Sequence, residues 1–243
     1  KTAIELESDN PEWYEYRAVC YAAMGDNTSA LKDYDKAIDL DPVNYLIERA
    51  KFYYRQKDYE NAKMDFNTLI KIDKSNCESY NERGLYYGLV GEYEKAHKDF
   101  EKSIQLDTTS RTVYYYRHKI YALQGLVEKQ KADLLKTIEM DPKDPEGYYY
   151  LAILYEKQGS LFKAVKYYNK TISCLESPEG YYVSDDNGDA VPIYKIFLKI
   201  AELYENEDEI DLMCSEYRLA LNSSEKFPNE KKKIEELIKA NCN

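Results

Sequence analysis

The stretches that decide the fold are YYYRHKIYALQG, Tyr114 to Gly125, and YYYLAILYEKQG, Tyr148 to Gly159. Each opens on three tyrosines and closes on a glycine, and the two lie 34 residues apart. Outward from them, the closing glycine recurs at Gly91 and Gly25. The 66 residues between those two leave room for one more unit, with its helix ending at Lys57. Ten or eleven residues before each stop stands an aromatic residue or leucine: Tyr14, Leu46, Tyr80, Tyr114 and Tyr148. A pair of Arg or Leu and a mostly small residue follows: Arg17-Ala18, Arg49-Ala50, Arg83-Gly84, Arg117-His118 and Leu151-Ala152. Beyond most stops comes an alanine (Ala30, Ala62, Ala96, Ala164) and, four residues on, a ring (Tyr34, Phe66, Phe100, Tyr168). Apolar positions recur at steps of three and four, the period of a helix with one buried face. Glycine at the stop adopts the left-handed conformation that ends a helix at little cost.

A 34-residue unit of two such helices resembles the tetratricopeptide repeat, in its Arg-Gly/Arg-Ala form common in bacterial arrays. The resemblance covers nearly the whole chain. It implies an all-α fold, a right-handed superhelical solenoid of antiparallel helix pairs, with a concave groove lined by the first helix of each pair. No unit buries its apolar face alone, so neighbours must stack. The expected organisation is one solenoid over 1–243, with repeats at 11–42, 43–76, 77–110, 111–144 and 145–178. An insertion at 179–193, a degenerate repeat at 194–225 and a capping helix at 228–241 complete it. Residues 1–10 read as the end of a preceding repeat, because Ala3 and Leu6 recur as Ala37 and Leu40; the natural protein is expected to extend upstream or to have been trimmed. The insertion carries Asn187-Gly188, a strong hairpin-turn signal, between YYV and AVPIY. A calcium loop in SDDNGD fails, because Val183 and Tyr194 would fall on ligand positions that need carboxylates.

Composition narrows the function. With 45 acidic and 34 basic side chains the net charge is -11, which argues against nucleic acid and anionic membranes as partners. No apolar run approaches the roughly 18 residues of a spanning helix, so no membrane insertion is expected. The five cysteines are odd in number and none has metal-ligand spacing, which predicts single thiols in a reducing, cytoplasm-like compartment, with no metal. His97 and His118 fall on different elements without ligands nearby and read as packed or solvated. GLYYGLVG, Gly84 to Gly91, lacks the lysine of a phosphate loop. With no nucleophile–base pair, the expectation is a protein that is not an enzyme and needs no cofactor.

The first ring of each tyrosine triplet, Tyr114 or Tyr148, occupies a packing position. In the resemblance the next two face the groove, which makes Tyr115, Tyr116, Tyr149 and Tyr150 a candidate binding cluster. The same register brings Tyr16 from the first repeat and Ile47, Glu48, Lys51 and Tyr54 from the second. Asn81, Glu82 and Leu85 come from the third, Lys119 from the fourth and Ile153 from the fifth. The early groove is acidic and the later part aromatic. The expected function is a non-enzymatic protein-protein interaction scaffold that binds a peptide or partner segment there. Alternatives are a regulatory or assembly segment of a longer protein, and a solenoid for a small molecule or glycan. The rings could instead pack on one another, or hold a hairpin of this same chain. The carboxylate clamp for chaperone tails needs Lys and Asn, then Asn, then Lys and Arg on successive first helices; no register supplies that set. Self-association through an aromatic groove stays open.

Overall fold

A computed structural model describes residues 7–175, 183–184 and 190–242. The preceding-repeat reading of Ala3 and Leu6 and the turn at Asn187-Gly188 lie outside the described residues. Among those described there are thirteen helices and one short antiparallel strand pair. They fall into two compact units divided after Gln124. In the first, α1 (Pro11–Ala23) pairs with α2 (Asn27–Leu40), and α3 (Pro42–Arg55) with α4 (Tyr59–Ile72). There α5 (Cys77–Leu89) pairs with α6 (Tyr93–Leu106), and α7 (Thr112–Leu123) packs on both. In the second, α8 (Val127–Met140) packs on α9 (Pro145–Lys157), which pairs with α10 (Leu161–Leu175). Strands β1 (Val183–Ser184) and β2 (Ala190–Val191) pair with Val183 opposite Val191, and β1 lies on α9. Then α11 (Ile193–Glu205) pairs with α12 (Ile210–Ser223), and α13 (Pro228–Asn241) packs on α12.

Local chemistry sets the helix ends. Asp26, Asp58 and Asn76 accept from the amides of Ser29, Asn61 and Ser79, satisfying donors that the first turn leaves open. Pro11, Pro42, Pro145 and Pro228 sit in first turns, where their missing N–H costs nothing. The stops take positive φ at Gly25, Gly91, Gly125 and Gly159, and also at Lys57 (+61°) and Asp208 (+59°), where the side chain makes the same turn strained. Inside each pair the alanines Ala30, Ala62, Ala96 and Ala164 are fully buried, and Tyr34, Phe66, Phe100 and Tyr168 are at most 2% exposed. At Gly84 a Cβ would stand 2.9 Å from the Phe100 ring, so an alanine there would force that buried ring to shift.

The arginine of each first helix reaches an aspartate 16 residues on. Arg17–Asp33 closes at 2.6 Å, Arg49–Asp65 at 2.7 Å and Arg83–Asp99 at 2.7 Å. Arg49 also meets Asp35, and Arg83 donates to Asn67 at 2.7 Å, so each ties its own pair to the preceding one. Tyrosine rings flank the guanidinium on both sides: Tyr14 and Tyr21 about Arg17, Tyr80 and Tyr87 about Arg83, Tyr114 and Tyr121 about Arg117. The fifth repeat has Leu151 and Tyr167 at the two ion-pair positions; there Tyr148 and Tyr155 stack on Tyr167, at 6.4 and 5.4 Å.

One expectation is overturned. The cysteines are not all single thiols: Cys214 and Cys242 are joined, while Cys20, Cys77 and Cys174 are free. The pair is 28 residues apart in sequence and meets only because α13 folds back along α12, which spacing alone does not reveal.

Candidate functional site

First helices α3, α5 and α7, with α4 behind them, enclose a cavity of about 290 Å³ in the first unit. Lys51, Tyr54 and Arg55 enter from α3, Glu82, Leu85, Tyr86 and Leu89 from α5, and Tyr116 from α7; Phe66 of α4 closes the back. Residues 82 and 85, like 51, 54 and 55, are three or four apart on one helix and share a face. The walls are aromatic and aliphatic, with a charged network set into them.

Glu82 is the centre of that network and is 8% exposed. The Tyr116 hydroxyl donates to Glu82 Oε1 at 2.9 Å, and Lys51 Nζ stands 3.4 Å from the same oxygen. Lys51 also contacts Glu48 at 3.2 Å and Glu78 at 4.0 Å, so three carboxylates surround one ammonium. Burial raises the Glu82 pKa, and the pull of Lys51 and Tyr116 offsets this only in part. Burial works against the Lys51 charge too, but the three glutamates outweigh it and hold its pKa above the usual lysine value. Burial and the neighbouring Glu82 raise the Tyr116 phenol, which stays protonated and donates. The site therefore offers apolar surface beside an excess of negative charge.

Of the residues expected in the groove, the cavity brings together Lys51, Tyr54, Glu82, Leu85 and Tyr116. Glu48 stands behind Lys51. Ile47 and Asn81 are buried, at 7% and 1% exposure, and Tyr16 is 55% exposed on α1; none of the three lines the cavity. Tyr115 packs on Tyr116 with ring centres 6.0 Å apart, and Lys119 Nζ lies 4.6 Å over the Tyr115 ring. In the second unit Ile153 is half-buried, and Tyr149 and Tyr150 are buried, at 4% and 3% exposure. Tyr149 meets Tyr168 edge-on at 6.0 Å, and the Tyr150 hydroxyl donates to the Ser184 carbonyl of β1 at 3.1 Å. These two rings serve packing and hold a strand of this same chain. The sequence reading passed over Tyr86, although its equivalents at 34-residue spacing, Phe52, Ile120 and Leu154, are all apolar and all buried.

Comparison with known proteins places the chain. Family models described as tetratricopeptide repeat match residues 11–42, 43–76, 78–109 and 134–166, more than half of it. DnaJ homolog subfamily C member 3 of Gallus gallus is 34% identical over 77 residues, which are 31% of this chain and 15% of that protein. Hsp70-Hsp90 organizing protein 2 of Arabidopsis thaliana is 31% identical over 78 residues, 31% of this chain and 14% of that protein. The matched stretch thus spans less than a sixth of either relative. Among solved structures, PilW, a type IV pilus biogenesis factor, superposes with a TM-score of 0.67 at 18% identity, over 92% of this chain and 97% of that one. A tetratricopeptide repeat protein from Parabacteroides merdae gives 0.60 at 20% identity, over 99% and 89%. At such identities the likeness is one of fold. Repeat period, helix pairing, family models and structural neighbours agree, and the chain belongs to the tetratricopeptide repeat family, whose members generally serve as protein-interaction scaffolds.

Proposed function

We propose that the first unit binds a segment of a partner protein across α3, α5 and α7. An aromatic or aliphatic side chain of the segment enters the cavity, and a neighbouring Lys or Arg faces the glutamates. The observation that carries this reading is the cavity itself, apolar in most of its wall, with Glu48, Glu78 and Glu82 gathered about Lys51 and outnumbering the two cations of the wall, Lys51 and Arg55. At about 290 Å³ it lies at the lower edge of the ~300–1,000 Å³ usual for small-molecule sites, and so suits one anchor side chain better than a whole ligand. Burying such an anchor contributes about 1.5–3 kcal/mol, and association entropy consumes much of the remaining contact energy, so affinities in the micromolar range are expected. An acidic chaperone tail fits poorly, because three carboxylates outnumber Lys51 and Arg55 there and Lys51 is already shared among them.

Selection of random displayed peptides on the immobilised chain tests the reading. Enriched sequences should carry an aromatic or aliphatic residue beside Lys or Arg. Their affinity should fall about ten-fold or more in Leu89→Asp, a substitution at an exposed wall position that should leave helicity unchanged. Enrichment of acidic peptides, or an unchanged affinity in the variant, would sink the proposal.

A further inference from the structure

We infer that the Cys214–Cys242 bond is a redox modification site for a dithiol reductant, and that its reduction releases the C-terminal half of α13 from the second unit. The bond is unevenly shielded. Cys214 on α12 is 5% exposed and lies in a core cluster with Ala201, Met213 and Tyr217. Cys242, just past the end of α13, is only half-buried. An incoming thiolate therefore reaches Cys242 Sγ first. It forms a mixed disulfide there and expels Cys214 as a thiolate, which takes up a proton. The reductant's second thiol then attacks its own sulfur in the mixed disulfide and frees Cys242. Two electrons and two protons pass to the protein, and the dithiol leaves as a cyclic disulfide.

What the bond holds follows from the burial pattern of α13. The start of the helix is anchored without it: Phe227 packs on Tyr194 with ring centres 5.0 Å apart, and Ile234 is 1% exposed. Beyond Ile234 the apolar hold is thin. Leu237 is 38% exposed, and only Ile238 and Cys242 lean on the cluster. Short helices depend on packing for their stability, so an end whose apolar hold is one half-buried side chain, Ile238, frays once the covalent tie is cut. Opening would bare the side of the Ala201, Met213, Cys214 and Tyr217 cluster on which Ile238 and Cys242 pack, linking closure of this unit to the thiol–disulfide balance around it. The inference is independent of the cavity in the first unit.

The test uses the full chain purified without reductant, with dithiothreitol as the dithiol. In denaturant, three thiols should titrate before treatment and five after, matching Cys20, Cys77 and Cys174 plus the released pair. Amides over 235–242 should then exchange hydrogen about ten-fold faster or more, while those of α12 change by less than about two-fold. Cys242→Ser should show the fast exchange from the outset and not respond to dithiothreitol. Five thiols before treatment would overturn the proposal, as would unchanged exchange over 235–242. Loss of protection throughout α12 would overturn it too, since the bond would then hold the whole terminal pair rather than the end of α13.

Discussion

His118 occupies the position where other repeats have Ala18, Ala50, Gly84 and Ala152, and it is 1% exposed. Its ring meets Tyr115 edge-on at 5.3 Å. Burial, with Lys119 adding repulsion, pushes its pKa down to about 3, so the imidazole is neutral in the folded protein. The unfolded chain takes up this proton near pH 6.5 and the folded chain near pH 3. Stability is therefore fully present above about 6.5 and falls as pH drops through that window, by about 2 kcal/mol at pH 5. His118→Leu should flatten the pH dependence of the melting temperature between pH 7 and 5 relative to the native chain; parallel curves would show that the ring is protonated in place. The arginine ladder gives a second residue-scale expectation. Asp99→Ala strands the Arg83 guanidinium, whose side chain is 17% exposed, and should cost about 3 kcal/mol, the lower end for breaking a buried pair. Arg83→Leu/Asp99→Tyr copies the Leu151 and Tyr167 arrangement of the fifth repeat and should recover part of that loss in urea unfolding. No recovery would mean that the ring stack depends on more than these two positions.

At the scale of elements, α5 packs closely on both α6 and α7 through its two glycines. A Cβ on Gly88 would stand 2.3 Å from Ile120 Cδ1 and 2.5 Å from Cγ1, and Ile120 is fully buried on α7. Gly88→Ala should therefore destabilise by about 1–3 kcal/mol despite alanine's better helix propensity, and adding Ile120→Ala should relieve the clash. Equal or greater stability of the single variant would show that α7 can shift away. The period also explains what could be read without coordinates. Helix stops, including Lys57, follow from spacing because each repeat needs its turn at the same point. Lys51, Glu82 and Leu85 follow because a helix face is fixed by steps of three and four. The aspartates at 33, 65 and 99 were equally periodic, but a charged residue on a second helix reads as solvated until its arginine is seen. The burial of Tyr149 and Tyr150 is legible only as the alternative in which the rings pack on one another or hold a hairpin of this chain, since no repeat rule says where an insertion docks. The Cys214–Cys242 link was hidden for the same reason, because it depends on how α13 returns.

For the whole molecule the decisive quantity is charge. A net -11 surrounds a site whose own excess is negative, so encounter with a basic segment should be steered, and steering is screened by salt. Glu78 is mostly exposed and Glu48 partly so, and neither lines the cavity. Neutralising both in Glu48→Gln/Glu78→Gln should therefore keep the anchor pocket, with Lys51 still paired to Glu82, while removing the acidic edge. For a peptide selected as above, affinity should fall about ten-fold at low ionic strength, consistent with about 0.5–1 kcal/mol for each exposed charge. The difference should shrink to about two-fold at 1 M salt, where the screening length is about 3 Å. A loss that persists undiminished at high salt would place the two glutamates in direct contact with the ligand rather than in its approach. No loss at any salt concentration would leave the anchor side chain as the whole of recognition and remove the basic residue from the partner's description.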